Sequence, residues 1–294
     1  MDPIVFLQAL ISGISIGCIY ALVALGFVLV YKATEVVNFA QGELMLVGAF
    51  FAYSIVDLGG VAFLPGVVLA LIATAFFGLL VNHLLVRPLI GSPAFTIVLA
   101  TVAVSTLIRA VVAMVPGWGV ETHRLSNPLA GKVLRFGELV ISAEHLVVIV
   151  VTVLLVGVLY LFFSRSRIGV ALQATSQNQL AAGYMGINLK RMFGLAWAIS
   201  AGVAALAGVL LAPMTFVHVN MGYIGLKAFP AAVLGGFGSL PGAVVGGVVI
   251  GVIEELAGLY LPEGFKNVAA YIVLLIVLMV RPQGLFGISK RARV

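Results

Sequence analysis

Along its 294 residues the chain alternates long apolar runs with short polar intervals. A helix needs roughly 20 mostly apolar residues to cross a bilayer. Nine segments meet or approach that length: 4–30, 38–56, 62–86, 94–115, 144–163, 191–212, 222–238, 240–260 and 266–281. The second and seventh are short and interrupted. Polar residues open 38–56, and 222–238 reads GYIGLKAFPAAVLGGFG, with Pro230 inside and glycines at its end. The pattern predicts an all-α polytopic membrane protein with eight to nine transmembrane helices in a single domain. Runs one to four and six to nine share one order: long, short and broken, long, long. Entering from opposite sides, they predict two inverted halves with short broken helices. The halves are 1–115 and 191–294, the latter with a basic tail. A loop over 116–143, a linking span over 144–163 and a second loop over 164–190 join them.

Composition agrees with this pattern. Hydrophobic residues make up 63% and charged residues only 9%, against about 25% charged in a soluble domain. The net charge of +6 therefore does not indicate a nucleic-acid partner; in a membrane protein Lys and Arg mark cytoplasmic loops. The 164–191 loop carries Arg165, Arg167, Lys190 and Arg191 and no acid, and the tail carries Arg281, Lys290, Arg291 and Arg293, also without an acid. Both are expected in the cytoplasm. The 116–143 loop sets Arg124, Lys132 and Arg135 against Glu121 and Glu138, so it is expected outside, with the N-terminus. Nine crossings satisfy both ends. The first apolar run is too long for a signal-peptide core and reads as a retained span. The lone Cys18 suggests neither a disulfide nor a metal nor a redox site. His83, His123, His145 and His218 are scattered without metal-ligand spacing.

Three segments carry candidate chemistry. In the basic loop, a helix from about 170 to 184 would put Ala171, Ala174, Ala181, Ala182 and Met185 along one small, shallow side. Gln173, Ser176, Gln177 and Gln179 would line the other. Such a helix either seats in another protein's groove or lies at the membrane interface. Next, broken spans at matching positions point to a transport pathway. They place Asn38, Gln41, Gly42 and Glu43 of one span, and Phe229, Pro230, Gly235 and Gly236 of the other, along it. The bland alternative for the polar group is capping of loose backbone ends. Last, Arg109, Glu254 and Glu255 fall at one depth within spans, which predicts that Arg109 pairs with Glu254 or Glu255. The pair is either structural or a clamp for a substrate carboxylate. Gly242, Gly246, Gly247 and Gly251, with Gly13 and Gly17, give GxxxG spacings for close helix contact. The long 116–143 loop, with a hairpin-like run around Gly137, is the expected external docking surface.

The order LAAGYMGI resembles the EAA loop of ABC-transporter permeases. Over a longer stretch, RIGVALQATSQNQLAAGYMGINLKRMFGLAWAISAGVAALAGVL is similar to the branched-chain amino acid permeases of the LivH/LivM family. NFAQGELMLVGA, FPAAVLGGFGSLPGAVVGGVVIG and the closing RPQGLFG extend the likeness, which favours the LivH-like subunit. Leu180 stands where the loop's acidic residue is expected. The resemblance implies one half of an importer's pathway for leucine, isoleucine and valine, or else urea, short amides or other amino acids. It implies a second, LivM-like permease, two LivG/LivF-like ATPases that use ATP and Mg, and a periplasmic binding protein, at a bacterial inner membrane. This chain itself would bind no cofactor and no metal; it carries no GxxxxGK[ST] phosphate loop. The coupling helix would use Arg167, Gly169, Ala171, Ala174, Gln177, Ala181, Ala182 and Gly186. Two rivals remain open: an ion-coupled secondary transporter using Glu43, Glu254 and Glu255, and an intramembrane enzyme around Gly238-Ser239.

Overall fold

The computed structural model describes residues 3–287 apart from 90 and 263; the tail cations Lys290, Arg291 and Arg293 lie outside that range. Eleven helices follow in order among the described residues: α1 Pro3–Thr34, α2 Gln41–Tyr53, α3 Phe63–Val81, α4 Ala94–Met114, α5 Ala143–Arg165, α6 Arg167–Gln177, α7 Gln179–Tyr184, α8 Leu189–Thr215, α9 Ile224–Gly235, α10 Leu240–Tyr260 and α11 Phe265–Val280. A two-stranded antiparallel hairpin, β1 Val133–Phe136 and β2 Leu139–Ser142, turns at Gly137. Among the described residues, seven helical segments are long and apolar enough to span a membrane. The chain is an all-α polytopic membrane protein.

The two doubtful spans are composite. The pass through α2 enters as unwound chain over 35–40, becomes helical at Gln41 and widens to a π-helix over Ser54–Leu58. The pass through α9 begins as extended chain after Thr215, tightens into a 3₁₀ turn over Val219–Tyr223 and becomes α-helical at Ile224. With 12 residues, α9 spans only about 18 Å, short of a hydrocarbon core of about 30 Å. The whole pass, from Thr215 to Gly235, nevertheless starts and finishes at opposite ends of the bundle. Val217 pairs with His123 of the long loop, whereas Leu234 accepts from Leu285 near the C-terminal end. Both helical pieces begin in the middle of the bundle and run to opposite ends.

Unwound backbone survives in lipid only where protein satisfies it. In the first composite pass, Phe39 N–H donates to Thr101 Oγ1 at 3.1 Å and Ala40 N–H to Asn38 Oδ1 at 3.0 Å. Gln41 N–H reaches the Asn38 carbonyl at 3.2 Å.

Around these passes stands a frame in which α1 packs against α10 and α3 against α8. The α1–α10 seam is glycine-lined: a Cβ on Gly17 would lie 2.7 Å from Val248 Cα, and one on Gly13 2.9 Å from Val252 Cα. Gly247 faces Ala21 and Gly251 faces Gly17, while Gly242 and Gly246 turn to α9. The GxxxG spacings therefore serve contact within the chain. Much of α3, α4 and α5 faces outward with exposed Leu64, Phe76, Phe95, Leu107 and Leu154.

Gly17→Val forces a branched side chain into the α1–α10 seam and is expected to destabilise the detergent-solubilised chain by about 1–3 kcal/mol. Gly157→Val, where a Cβ would meet nothing within 4 Å, is expected to leave it unchanged. Thermal unfolding of both variants checks the contrast.

Candidate functional site

The two composite passes meet where their helices begin. Gly42, in the first turn of α2, lies against the Gly222 carbonyl, and its Cβ would stand 3.0 Å from Gly225 Cα at the start of α9. Only side-chain-free positions permit this approach. The Glu43 carboxylate packs over Gly222, with 1% of the residue exposed. It occupies the first turn of α2 beside the start of α9, so the positive ends of two helices favour its charge. Its counter-ion is Arg109 of α4, which makes a direct ion pair with Glu43 Oε1. The Arg109 guanidinium also lies over the Tyr223 ring, 3.9 Å from its centroid, a cation–π contact.

This differs from the expected pairing. Position along a helix does not fix lateral neighbours. α4 flanks α2 and the 3₁₀ turn, whereas α10 packs on α1, α9 and α11. Glu254 instead accepts from Tyr20 Oη at 2.6 Å and from Lys227 Nζ at 2.6 Å, and Lys227 also reaches Asn267 Oδ1 at 2.9 Å. Glu255 pairs with Lys266 at 2.8 Å.

The other residues of the two broken spans separate into joints and surface. Gln41 Nε2 donates to the Ser200 carbonyl at 3.3 Å, and Ser200 Oγ bonds Gln41 Oε1 and the Gly26 carbonyl, both at 2.9 Å. Asn38 Nδ2 joins the same network at 3.3 Å. Asn38, Gln41 and Glu43 are all buried, as are Pro230, Gly235 and Gly236. Gly235 abuts Gly242, and Gly236, at φ 92°, abuts the Gln283–Gly287 turn. Of that set only Phe229 is partly exposed. It belongs to an aromatic row that residue spacing alone did not reveal: Phe39–Phe229 at 5.5 Å, Phe229–Phe237 at 5.8 Å and Tyr31–Phe237 at 4.9 Å. Tyr223 and Leu226 continue the exposed edge of this pass up to Arg109.

At the basic end, the loop folds as two helices rather than one. Asn178 breaks it: its backbone is extended, and its Oδ1 accepts from Ala181 N–H at 2.9 Å, capping α7. An Asn that bonds nearby backbone competes with helix continuation. Ser166 caps α6 and Asn188 caps α8 in the same way. Gly169 packs on the Phe162–Phe163 backbone, and Gly169, Leu172, Thr175 and Ala182 face the body of the protein. Ala171 and Ala174 are half-buried, while Arg167, Gln177, Ala181 and Gly186 are exposed. The outward surface of α7 is apolar and large, not a shallow alanine side: Leu180, Tyr184 and Met185 are 75%, 89% and 84% exposed. Met185 is therefore on the opposite side from Ala182.

A bundle whose two interrupted passes meet end to end at its middle has the build of a membrane transport domain. The family model described as branched-chain amino acid transport system / permease component matches residues 9–280, and the chain belongs to that permease family. It is 34% identical to the high-affinity branched-chain amino acid transport system permease protein BraD of Pseudomonas aeruginosa, over 96% of both chains. It is 32% identical to the corresponding permease protein LivH of Escherichia coli K12, again over 96% of both. A third relative, a probable LivH of Methanocaldococcus jannaschii, is 29% identical over 91% of this chain and 88% of its own.

Arg109→Gln strands the buried Glu43 charge and is expected to cost about 3 kcal/mol or more. Combining Arg109→Gln with Glu43→Gln removes both charges and is expected to recover most of that loss. A double-mutant cycle read by unfolding in detergent, giving a coupling energy well above about 0.5 kcal/mol, is the expected outcome.

Proposed function

We propose that this chain is the LivH-like permease subunit of an ATP-driven importer of branched-chain amino acids and forms one side of its translocation path. The family membership carries this reading, and the relatives named for branched-chain amino acid transport match nearly end to end. The path runs along the exposed edge of the composite passes, lined by Arg109, Tyr223, Leu226, Phe229 and Phe39. A zwitterionic substrate with a branched apolar side chain suits that edge. Arg109 would take the carboxylate and the aromatic row the side chain. Pro230 has no N–H to donate to the Leu226 carbonyl, which leaves that carbonyl to accept from the ammonium group. Asn38, Gln41, Gly42, Pro230, Gly235 and Gly236 would shape the path by fixing its backbone. A second permease of LivM type would close the other side.

Charge distribution supports the orientation. Lys32, Arg87, Arg165, Arg167, Lys190, Arg191 and Arg281, with one acid, Glu35, lie at the end that holds α6 and α7, whereas at the hairpin end Arg124, Lys132 and Arg135 are offset by Asp57, Glu121, Glu138 and Glu144. By the positive-inside bias the first end is cytoplasmic and the hairpin loop periplasmic in a bacterial inner membrane. The hairpin loop would receive a periplasmic binding protein. The exposed Leu180, Tyr184 and Met185, in the loop that also carries Arg165, Arg167, Lys190 and Arg191, would seat in an ATPase subunit, one of two that use ATP and Mg. An apolar contact is then the counterpart of having Leu180 where an acid is usual. The ion-coupled alternative is disfavoured, because Glu43, Glu254 and Glu255 each bind a cation.

Mild-detergent affinity purification from native membranes is expected to recover a second permease and two phosphate-loop ATPases. A chain that purifies alone and moves solute without ATP would overturn the importer reading. Tyr184→Ala with Met185→Ala is expected to weaken ATPase association about tenfold or more, as loss of two exposed apolar anchors should. Gln177→Cys is expected to label from the cytoplasmic side only.

A further inference from the structure

Among the described residues, two non-glycine residues have positive φ: Glu35 at 58° and Phe216 at 61°. Phe216 has ψ 164°, a combination that glycine almost alone adopts. Such strain persists only where the surroundings over-determine it. The positions are informative. Glu35 opens the unwound stretch that leads into α2, and Phe216 opens the one that leads into α9. One lies at the basic end of the bundle and the other at the hairpin end.

Each strained joint is held by the long loop at its own end. Gln179, the first residue of α7, donates from Nε2 to the Ala33 carbonyl at 3.1 Å, two residues before Glu35. His123 of the hairpin-end loop exchanges two backbone bonds of 2.8 Å with Val217, the residue after Phe216. Its imidazole bonds the Trp118 carbonyl and packs on Tyr53 in a tilted pair, 4.6 Å between centroids. Trp118 in turn donates from Nε1 to Ser54 Oγ at 2.6 Å, where α2 becomes a π-helix. The hairpin-end loop thus grips the far end of α2 and the entry to α9 together.

We propose that the backbone pair of His123 with Val217 and the side chain of Gln179 clamp the two strained joints, so that each loop sets the tilt of one interrupted pass. A pull on the hairpin-end loop frees the Phe216 joint and lets α9 swing. A push on α7 is passed through Ala33 to the Glu35 joint and so to α2. The Glu43 region, where both helices begin, then responds to either end. The identity of the partners that pull and push rests on the importer reading; the joints themselves do not.

The test is a reversible lock. Two residues in a hydrogen-bonded antiparallel pair lie about 5.5 Å apart at Cα, within disulfide range. His123→Cys with Val217→Cys is made in the assembled transporter; the native Cys18 is buried. After oxidation, ATP hydrolysis is expected to continue and solute uptake to be lost, with uptake restored by dithiothreitol. Uptake undiminished in the cross-linked protein overturns the proposal, as does failure of the two thiols to join in a folded, assembled complex. For the other joint, Gln179→Ala is expected to leave assembly and basal ATP hydrolysis intact and to lower solute moved per ATP about fivefold, the worth of one hydrogen bond. An unchanged ratio overturns that half. If no ATPase accompanies the chain, the importer reading has failed on its own, and the lock is read on ATP-independent flux in proteoliposomes. Blocked flux supports the joint, and unaffected flux refutes it.

Discussion

The ion pair between Glu43 and Arg109 is the constraint around which the rest is arranged. A carboxylate with 1% of its residue exposed in the middle of an apolar bundle is costly unless it is paired. Three devices offset the cost: the guanidinium of α4, the first turn of α2, and the start of α9. The last two require helices that begin inside the bundle, and therefore passes that are interrupted. They also require a contact with no side chains between backbones, which Gly42, Gly222 and Gly225 provide. α4 otherwise turns much of its surface outward, and Arg109 ties it to both interrupted passes.

The frame and the interrupted passes are held by different physics. α1 and α10 approach backbone to backbone through glycines, a dense contact that resists sliding. The unwound stretches lack a helix ladder and depend on Asn38, Thr101, His123 and Val217 for their bonds. Such a division suits a protein that must stay assembled while its middle moves. Packed glycine seams have one good arrangement, whereas side-chain-supported backbone can exchange partners at modest cost.

Much of this was legible in the sequence. Apolar runs located the spans to within a few residues, and Gly and Pro together with polar insertions marked the two that are broken. NFAQGE was recognisable as a polar entry, and its reading as a device for satisfying loose backbone fits Asn38, whereas Gln41 ties α2 to Ser200 inside α8. Lateral neighbours were not legible. Depth along a helix placed Arg109 level with Glu254, yet nothing in a single sequence says which helices adjoin, and the partner proved to be Glu43. The break at Asn178 left a local sign, an Asn two residues after a Ser in a helical run, but alanine periodicity on both sides masked it. That same masking assigned the wrong outward surface to the basic loop. The positive φ of Phe216 had no sequence sign at all, and its neighbour Val217 pairs with His123 of a distant loop.

The charges inside the bundle follow one rule. In the two central pairs the acid is almost wholly buried, with 2% and 3% of its side chain exposed, and the cation is about a quarter exposed, at 25% for Arg109 and 26% for Lys227. The acids belong to the interior, where helix starts and Tyr20 hold them, and the cations lean outward from them. An edge built this way is slightly positive, although each pair is neutral. It can hold a carboxylate briefly without trapping it, because the buried acid competes for the same guanidinium. A lone arginine there would bind an anion tightly and release it slowly. The pairing that stabilises the buried acids in lipid also tempers the positive field of this edge.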